Sequence, residues 1–416
     1  MRRTARLTAC AVSLAAILAT TFTVGAGRPL AQTAAKPMNC QNTTRFETWL
    51  RNFRKEAAAA GVTQATLSAV LDDMTLDQGI IARDRRQTFF GQSFVDFRGK
   101  LVSRNRIVNG TRQLERYRSI FERAEKEYGV PGPVITGFWA LESDFGAGMG
   151  KLPVLRSLAT LAYDCRRGEM FTREFIAALK IIDRGDLRPA DMIGSWAGEL
   201  GQTQFLPGHY LAHAVDYDGD GRRDLFKSPA DVIGSTAAYL KHLGWRAGEM
   251  WLEEVRAPRN LNWAEADLEI QHPRSQWVKW GVTRADGRPL TADDKQASLL
   301  ALMGRDGPLF LAYPNFRIYL EWNQSLNYAT TVAYLATRYA GAAEMRDVGK
   351  DIPSLSLDEA KELQTLLAQR GHDVGRIDGI IGAGTRAAVK KEQIRLGLVA
   401  DAYPTAELLS ALRSKR

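Results

Sequence analysis

The sequence predicts a mainly α protein of α+β character: a helical domain with a small β-rich insertion, followed by a second, smaller helical domain. Three observations lead there. Near the front of the chain, apolar residues recur at helical spacing among many charges (Phe46, Leu50, Phe53; Leu114, Tyr117, Phe121). Between about residues 250 and 320, short β-rich runs such as Trp277-Val278-Lys279-Trp280 and Phe316-Arg317-Ile318-Tyr319-Leu320 alternate with Pro and Gly turns. After a polar stretch at 341–356, read as a linker, residues 357–414 form a compact helical unit of their own. A chain of 416 residues, 45% hydrophobic and 25% charged, is long enough for two or three domains that each bury a core.

At the N-terminus, Arg2, Arg3 and Arg6 precede an uncharged run from Leu7 to Ala26, with small residues before a cut after residue 26. Residues 1–26 are therefore read as a signal peptide and the mature protein as periplasmic. The alternative is an uncleaved anchor in the inner membrane, since the run is about long enough to span a bilayer. Cleavage removes three arginines and lowers the formal charge from +9 to +6. A basic protein suits an anionic partner, and export argues for cell-wall polymer and against nucleic acid. Cys40 and Cys165 then remain in an oxidising compartment, as one disulfide or as two buried thiols.

Helical spacing runs from Thr44 to Met74 and from Gly110 to Tyr128, where Tyr128-Gly129-Val130-Pro131 breaks it. Pro133 then sits where a first-turn proline is tolerated, and a new helix runs to about Phe145, ended by Gly146 and Gly148. Glu142 is the single carboxylate near the end of this apolar helix. Phe138 and Trp139 lie one turn back on its face, and such desolvation raises a carboxyl pKa. Asp144, two residues on, faces away. A lone glutamate in a helix is more often an exposed end or an ion-pair member.

The surrounding motifs change that balance. Tyr128-Gly129-Val130-Pro131 is followed by Glu142-Ser143-x-Phe145-Gly146, Gly148-x-Gly150 and Leu158-Ala159-Thr160-Leu161-Ala162. Then come Gly194-Ser195-Trp196-Ala197-Gly198, Gly201-x-x-Gln204-Phe205-x-Pro207, Asp231-x-Ile233-Gly234-Ser235, Tyr239 and Gly244-Trp245. In order and spacing this resembles the membrane-bound lytic transglycosylase B family (glycoside hydrolase family 103). The resemblance implies a catalytic domain over 40–340 with a lysozyme-like core at about 128–250. It also implies cleavage of the β-1,4 bond between N-acetylmuramic acid and N-acetylglucosamine to leave a 1,6-anhydromuramic acid end. Glu142 would act as acid and then base with no catalytic cofactor, and Ser195, Gln204, Tyr239, Trp322 and Tyr328 would line the glycan cleft. The chain departs from the family with Glu199-Leu200 where Ala-Met is usual and with Trp322 where a tyrosine is common. A hydrolytic muramidase and a noncatalytic wall-binding protein are the alternatives.

Asp216, Asp218, Asp220 and Asp224, with Gly221, follow positions 1, 3, 5, 9 and 6 of a calcium loop, but position 12 is Lys227. In the family such a loop is closed by a later aspartate, here matched by Asp231, so a structural Ca2+ is set against an unoccupied Asp-Gly turn. His209 and His213 have i, i+4 spacing without the glutamate of a zinc protease, and surface packing is expected of them. In the tail, Leu363-Gln364-x-x-Leu367, Gly371, Gly375, Asp378-Gly379, Gly382, Thr385 and Gly397-Leu398 resemble the peptidoglycan-binding domain type 1. Glu392-Gln393 replaces the usual Phe-Gln, and a docking or dimerisation module is the alternative. The expected partners are peptidoglycan glycan strands and other cell-wall enzymes, with the chain itself a monomer.

Overall fold

The computed structural model describes residues 40–85, 92–348 and 351–414. The predicted export segment lies outside them. Among the described residues no helix is long and apolar enough to cross a membrane.

Helices dominate, as the sequence predicts. The helix Gly132–Ser143 lies at the centre, with Val134, Ile135, Phe138, Trp139 and Ala140 all buried. A helix apolar on every side needs neighbours on every side. It has them in Arg104–Arg116, Arg118–Tyr128, Pro229–His242 and Leu326–Tyr339. The last of these approaches closely because Gly137 has no side chain, and a Cβ there would stand 3.2 Å from the Val332 carbonyl oxygen. A segment nearly two hundred residues further along the chain is thus brought against the end of the central helix.

The β insertion is a five-stranded antiparallel sheet in the order His272–Pro273, Gln296–Ala301, Leu309–Ala312, Leu252–Arg256, Thr283–Arg284. Its register pairs Leu299 with Leu311 and Leu300 with Phe310. Alternate residues serve different cores. Leu252, Leu300 and Phe310 join the main helical core, whereas Val255, Leu299 and Leu311 join a smaller one with Trp263, Trp277 and Leu290. Because both faces are buried, Leu309–Ala312 and the Leu299 to Ala301 end of its neighbour read as continuous apolar runs rather than alternating ones.

The two runs expected to be strands are helical. Arg274–Lys279 and Phe316–Trp322 form short helices that flank the sheet. Pro273 immediately precedes the first, and Trp277 is buried with its indole N–H donating to the Ala297 carbonyl at 2.9 Å. In the second, Phe316 and Tyr319 share a buried face at i, i+3. Runs of four or five mostly apolar residues fit either period, and burial on one side decided the matter.

The C-terminal helices Leu357–Gln369, Ala383–Leu396 and Ala406–Ser414 enclose Leu363, Leu367, Val389, Leu408 and Leu412. Ser356 and Glu359 form a capping box at the first. The atypical Glu392-Gln393 pair is accommodated by polar partners. Gln393 bonds Asp401, the Tyr403 carbonyl and the Ala402 N–H, while Glu392 bonds His372 and Arg395. This unit sits on the sheet insertion: Arg386 donates to the carbonyls of Ala301 and Leu302, and Lys390 pairs with Asp267 at 2.8 Å. Within the stretch read as linker, Met345 is buried and Arg346 pairs with Glu254 at 3.2 Å.

Candidate active site

Glu142 lies in the last turn of the central helix, at the edge of the apolar core. Its Oε1 accepts hydrogen bonds from the Trp322 indole N–H at 2.7 Å and from the Tyr328 hydroxyl. Phe138, one turn back, backs the Trp322 ring at 4.3 Å, so the expected aromatic wall exists through a neighbour. Trp139 instead turns into the core and donates to Gln202 at 2.8 Å. Burial pushes the Glu142 pKa from 4.5 up to about 7; the Tyr328 bond lowers it, the Glu199 carboxylate raises it and the Trp322 bond lowers it. Both donors are neutral, so the carboxyl group keeps its proton into the neutral range. Asp144 points elsewhere, to Arg106 at 3.3 Å.

The chain beyond Glu142 is held in an unusual path. Asp144 and Phe145 both adopt left-handed backbone, with φ of 50° and 61°, and Gln204 does so at 49°. For a bulky residue such as Phe145 this costs about 1–3 kcal/mol and persists only where surroundings impose it. Gln202 imposes it. Its carbonyl accepts from Ser143 Oγ, its amide oxygen accepts from Trp139, and its amide nitrogen donates to Phe226 at 2.8 Å. The 194–205 loop is thereby braced against the end of the Glu142 helix. Within the loop, Leu200 and Phe205 exchange main-chain bonds, and Phe205 meets Tyr239 and Trp322 edge-on at 5.3 and 5.5 Å.

Residues 45–337 match the family of transglycosylase SLT domains, and residues 356–412 match a peptidoglycan binding domain family. The chain belongs to the transglycosylase SLT family. The membrane-bound lytic murein transglycosylase B of Escherichia coli K12 is 33% identical over 252 residues, which are 60% of this chain and 68% of that protein. SltB3 of Pseudomonas aeruginosa, solved in complex with NAG-NAM-pentapeptide, superposes with a TM-score of 0.83 at 40% identity, covering 89% of this chain and all of that one. The Escherichia coli lytic transglycosylase Slt35 in complex with calcium superposes with a TM-score of 0.59 at 28% identity, covering 70% of this chain and 92% of that one.

Within this transglycosylase chain, the cleft residues expected from the sequence fall into two groups. Trp322 and Tyr328 touch Glu142 directly, and Tyr239 stands behind Trp322 with ring centroids 5.4 Å apart. Ser195 does not reach it; its hydroxyl donates to Glu199 Oε2 at 3.0 Å. Gln204 turns its amide back to the Gly201 carbonyl. His209 and His213 are half-buried around Tyr239, with His209 Nε2 3.3 Å from the Tyr239 hydroxyl, so they pack against the cleft wall as well as the surface. Sequence reasoning did not single out Gln202, or Glu199 as a charge near Glu142. The break in the family pattern at Glu199 was the available signal.

The acidic loop is only partly gathered. Among the described residues, Asp216, Asp218 and Asp231 bring carboxylate oxygens within 4.8 Å of one another; Asp220 and Asp224 stand outside that group. Asp231 accepts the N–H groups of Tyr217 at 2.6 Å and Asp224 at 2.7 Å, and Asp224 accepts those of Phe226 and Lys227. The donor set is all hard oxygen, which fits Ca2+ rather than a softer metal. Cys40 and Cys165 are joined by a disulfide 125 residues apart in sequence.

Proposed function

We propose that this lytic transglycosylase cuts peptidoglycan between N-acetylmuramic acid and N-acetylglucosamine with Glu142 making both proton transfers. The observation that carries this is a carboxyl group at the end of an apolar, buried helix that accepts from two neutral donors, Trp322 and Tyr328, with burial pushing its pKa up to about 7. Protonated, it gives its proton to the glycosidic oxygen as the C1–O bond breaks. As the carboxylate, it takes the proton from the muramic acid 6-hydroxyl while that oxygen closes on C1. The proton count balances, water is not consumed, and the product is a 1,6-anhydromuramic acid end. Tyr328 and Trp322 stabilise the carboxylate between the two steps without trapping it, because neither carries charge. Tyr239 backs the Trp322 ring, while the half-buried Ser195 and Gln204 border the site from the 194–205 loop and offer their remaining hydrogen-bonding capacity to the glycan.

Action on periplasmic wall after export agrees with the disulfide, which belongs to an oxidising compartment. A Ca2+ ion held by Asp216, Asp218 and Asp231 would tie the loop to the start of the Pro229–His242 helix in a structural role. Calcium should then raise the melting temperature, and Asp216→Ala with Asp218→Ala should abolish the rise. Mass spectrometry of digested sacculi tests the reaction. Anhydro ends are expected, whereas hydrated reducing ends would mark a muramidase and absence of cleavage a binding protein.

A further inference from the structure

Glu199 places a second carboxylate in a cleft that already holds one. Its position is built into the backbone. Gly194 packs beneath the Glu199 carbonyl, where a Cβ would meet that oxygen at 2.6 Å. Ser195 Oγ donates to Glu199 Oε2 at 3.0 Å and accepts the Glu199 N–H at 3.2 Å. Leu200 is clamped to Phe205, whose ring meets the indole that holds Glu142, and Gln202 fastens the same turn to the Glu142 helix. Both carboxylates are therefore presented by one braced unit.

The groups around the pair come from every neighbouring element. Glu142 comes from the central helix, Trp322 from Phe316–Trp322, Tyr328 from Leu326–Tyr339, Ser195 from the loop, and Arg167 from the entry to Gly168–Asp183. Glu199 acts electrostatically on both Glu142 and Tyr328. Burial raises the Glu199 pKa as well, and the Ser195 hydroxyl and the Arg167 guanidinium offset part of that rise. Among the described residues, no cation acts on Glu142 in the same way. Two carboxylates that act on one another titrate as coupled groups, and a cation beside one of them favours its ionisation.

We propose that Glu199 is a positioning residue for Glu142: ionised beside it, Glu199 keeps the acid proton on Glu142 and fixes the Ser195 hydroxyl in the loop. The assignment rests on the reading of Glu142 given above and extends it to a residue at which this chain departs from its family. A negative neighbour makes Glu142 harder to ionise, so the proton is retained until a leaving oxygen arrives.

The test is the pH dependence of kcat/KM for anhydro-product formation in Glu199→Gln, which keeps the shape and the acceptor for Ser195 but removes the charge. Its alkaline limb should move to lower pH by about half a unit to one unit, because Glu142 then loses its proton sooner as pH rises. Glu199→Asp should move the limb back toward the parent value. Ser195→Ala removes a donor that favours ionised Glu199 and should shift the limb in the same direction as Glu199→Gln. A purely structural role would change the melting temperature or KM and leave the limb in place. A limb unmoved in the folded variants overturns the proposal. Glu142→Gln is assayed alongside to separate the two readings. If it stays active, the Glu142 mechanism itself has failed; if it is inactive and the Glu199→Gln limb is unmoved, the Glu199 assignment alone falls.

Discussion

Two glutamates in this chain, Glu142 in the catalytic domain and Glu392 in the C-terminal unit, are withdrawn from water in opposite ways. Glu392 is 3% exposed, and burial alone would push its pKa up; bonds from Arg395 at 2.6 Å and His372 at 2.8 Å instead bring it below the ordinary value. Glu142 receives bonds from two neutral donors, with a second carboxylate acting on it, and its pKa rises to about 7. Burial raises both carboxyls; the charged partner of Glu392 outweighs it, whereas the neutral donors of Glu142 do not. A cation neutralises the charge permanently, whereas a phenol and an indole leave the proton free to come and go.

The comparison can be broken most severely at Glu142. Glu142→Gln should lower anhydro-product formation by about 10²- to 10⁴-fold, the usual contribution of a positioned acid and base, with the fold intact by circular dichroism. Tyr328→Phe should cost about tenfold to a hundredfold, the worth of one bond to a charged group. It should also raise the pH of the alkaline limb, since a donor that favours the carboxylate is gone. Glu392→Gln should spare turnover of a soluble glycan fragment and reduce stability by about 1–2 kcal/mol, read as a lower melting temperature.

The smallest effect sharpens the contrast by its sign. The folded pKa of Glu142 lies above its ordinary value, so its contribution to stability is full below about pH 4.5 and is lost as pH rises through about 7. Glu392 has a depressed pKa. Its contribution is present above the ordinary carboxylate range and is lost as pH falls through the folded value. Because glutamine stands in for the protonated carboxyl, both variants should match the parent in acid and depart from it as pH rises, Glu142→Gln toward a higher melting temperature and Glu392→Gln toward a lower one.

Much of this was legible in the sequence, though unevenly. The apolar helix with one carboxylate, the β insertion and the helical tail could all be read from spacing and turn residues. The choice of Trp322 and Tyr328 as partners could not. They lie 180 and 186 residues from Glu142, and only the return of the Leu326–Tyr339 helix to the centre brings them there. The segments at 277–280 and 316–320 misled because a short apolar run carries no period, and tertiary burial chose the helix. Gln202 was invisible for another reason. An amide at a variable position between the motif residues Gly201 and Gln204 looks like any loop polar residue until its three hydrogen bonds are seen.

The most direct test of the central claim is the titration of Glu142 itself, followed through its side-chain carboxyl carbon by NMR in protein labelled at glutamate and assigned by difference against Glu142→Gln. A resonance that stays protonated through pH 6 and titrates near 7 is the predicted result. Titration with the exposed glutamates near 4.5 would show that the neutral cage does not hold the proton, and the mechanism built on it would be wrong.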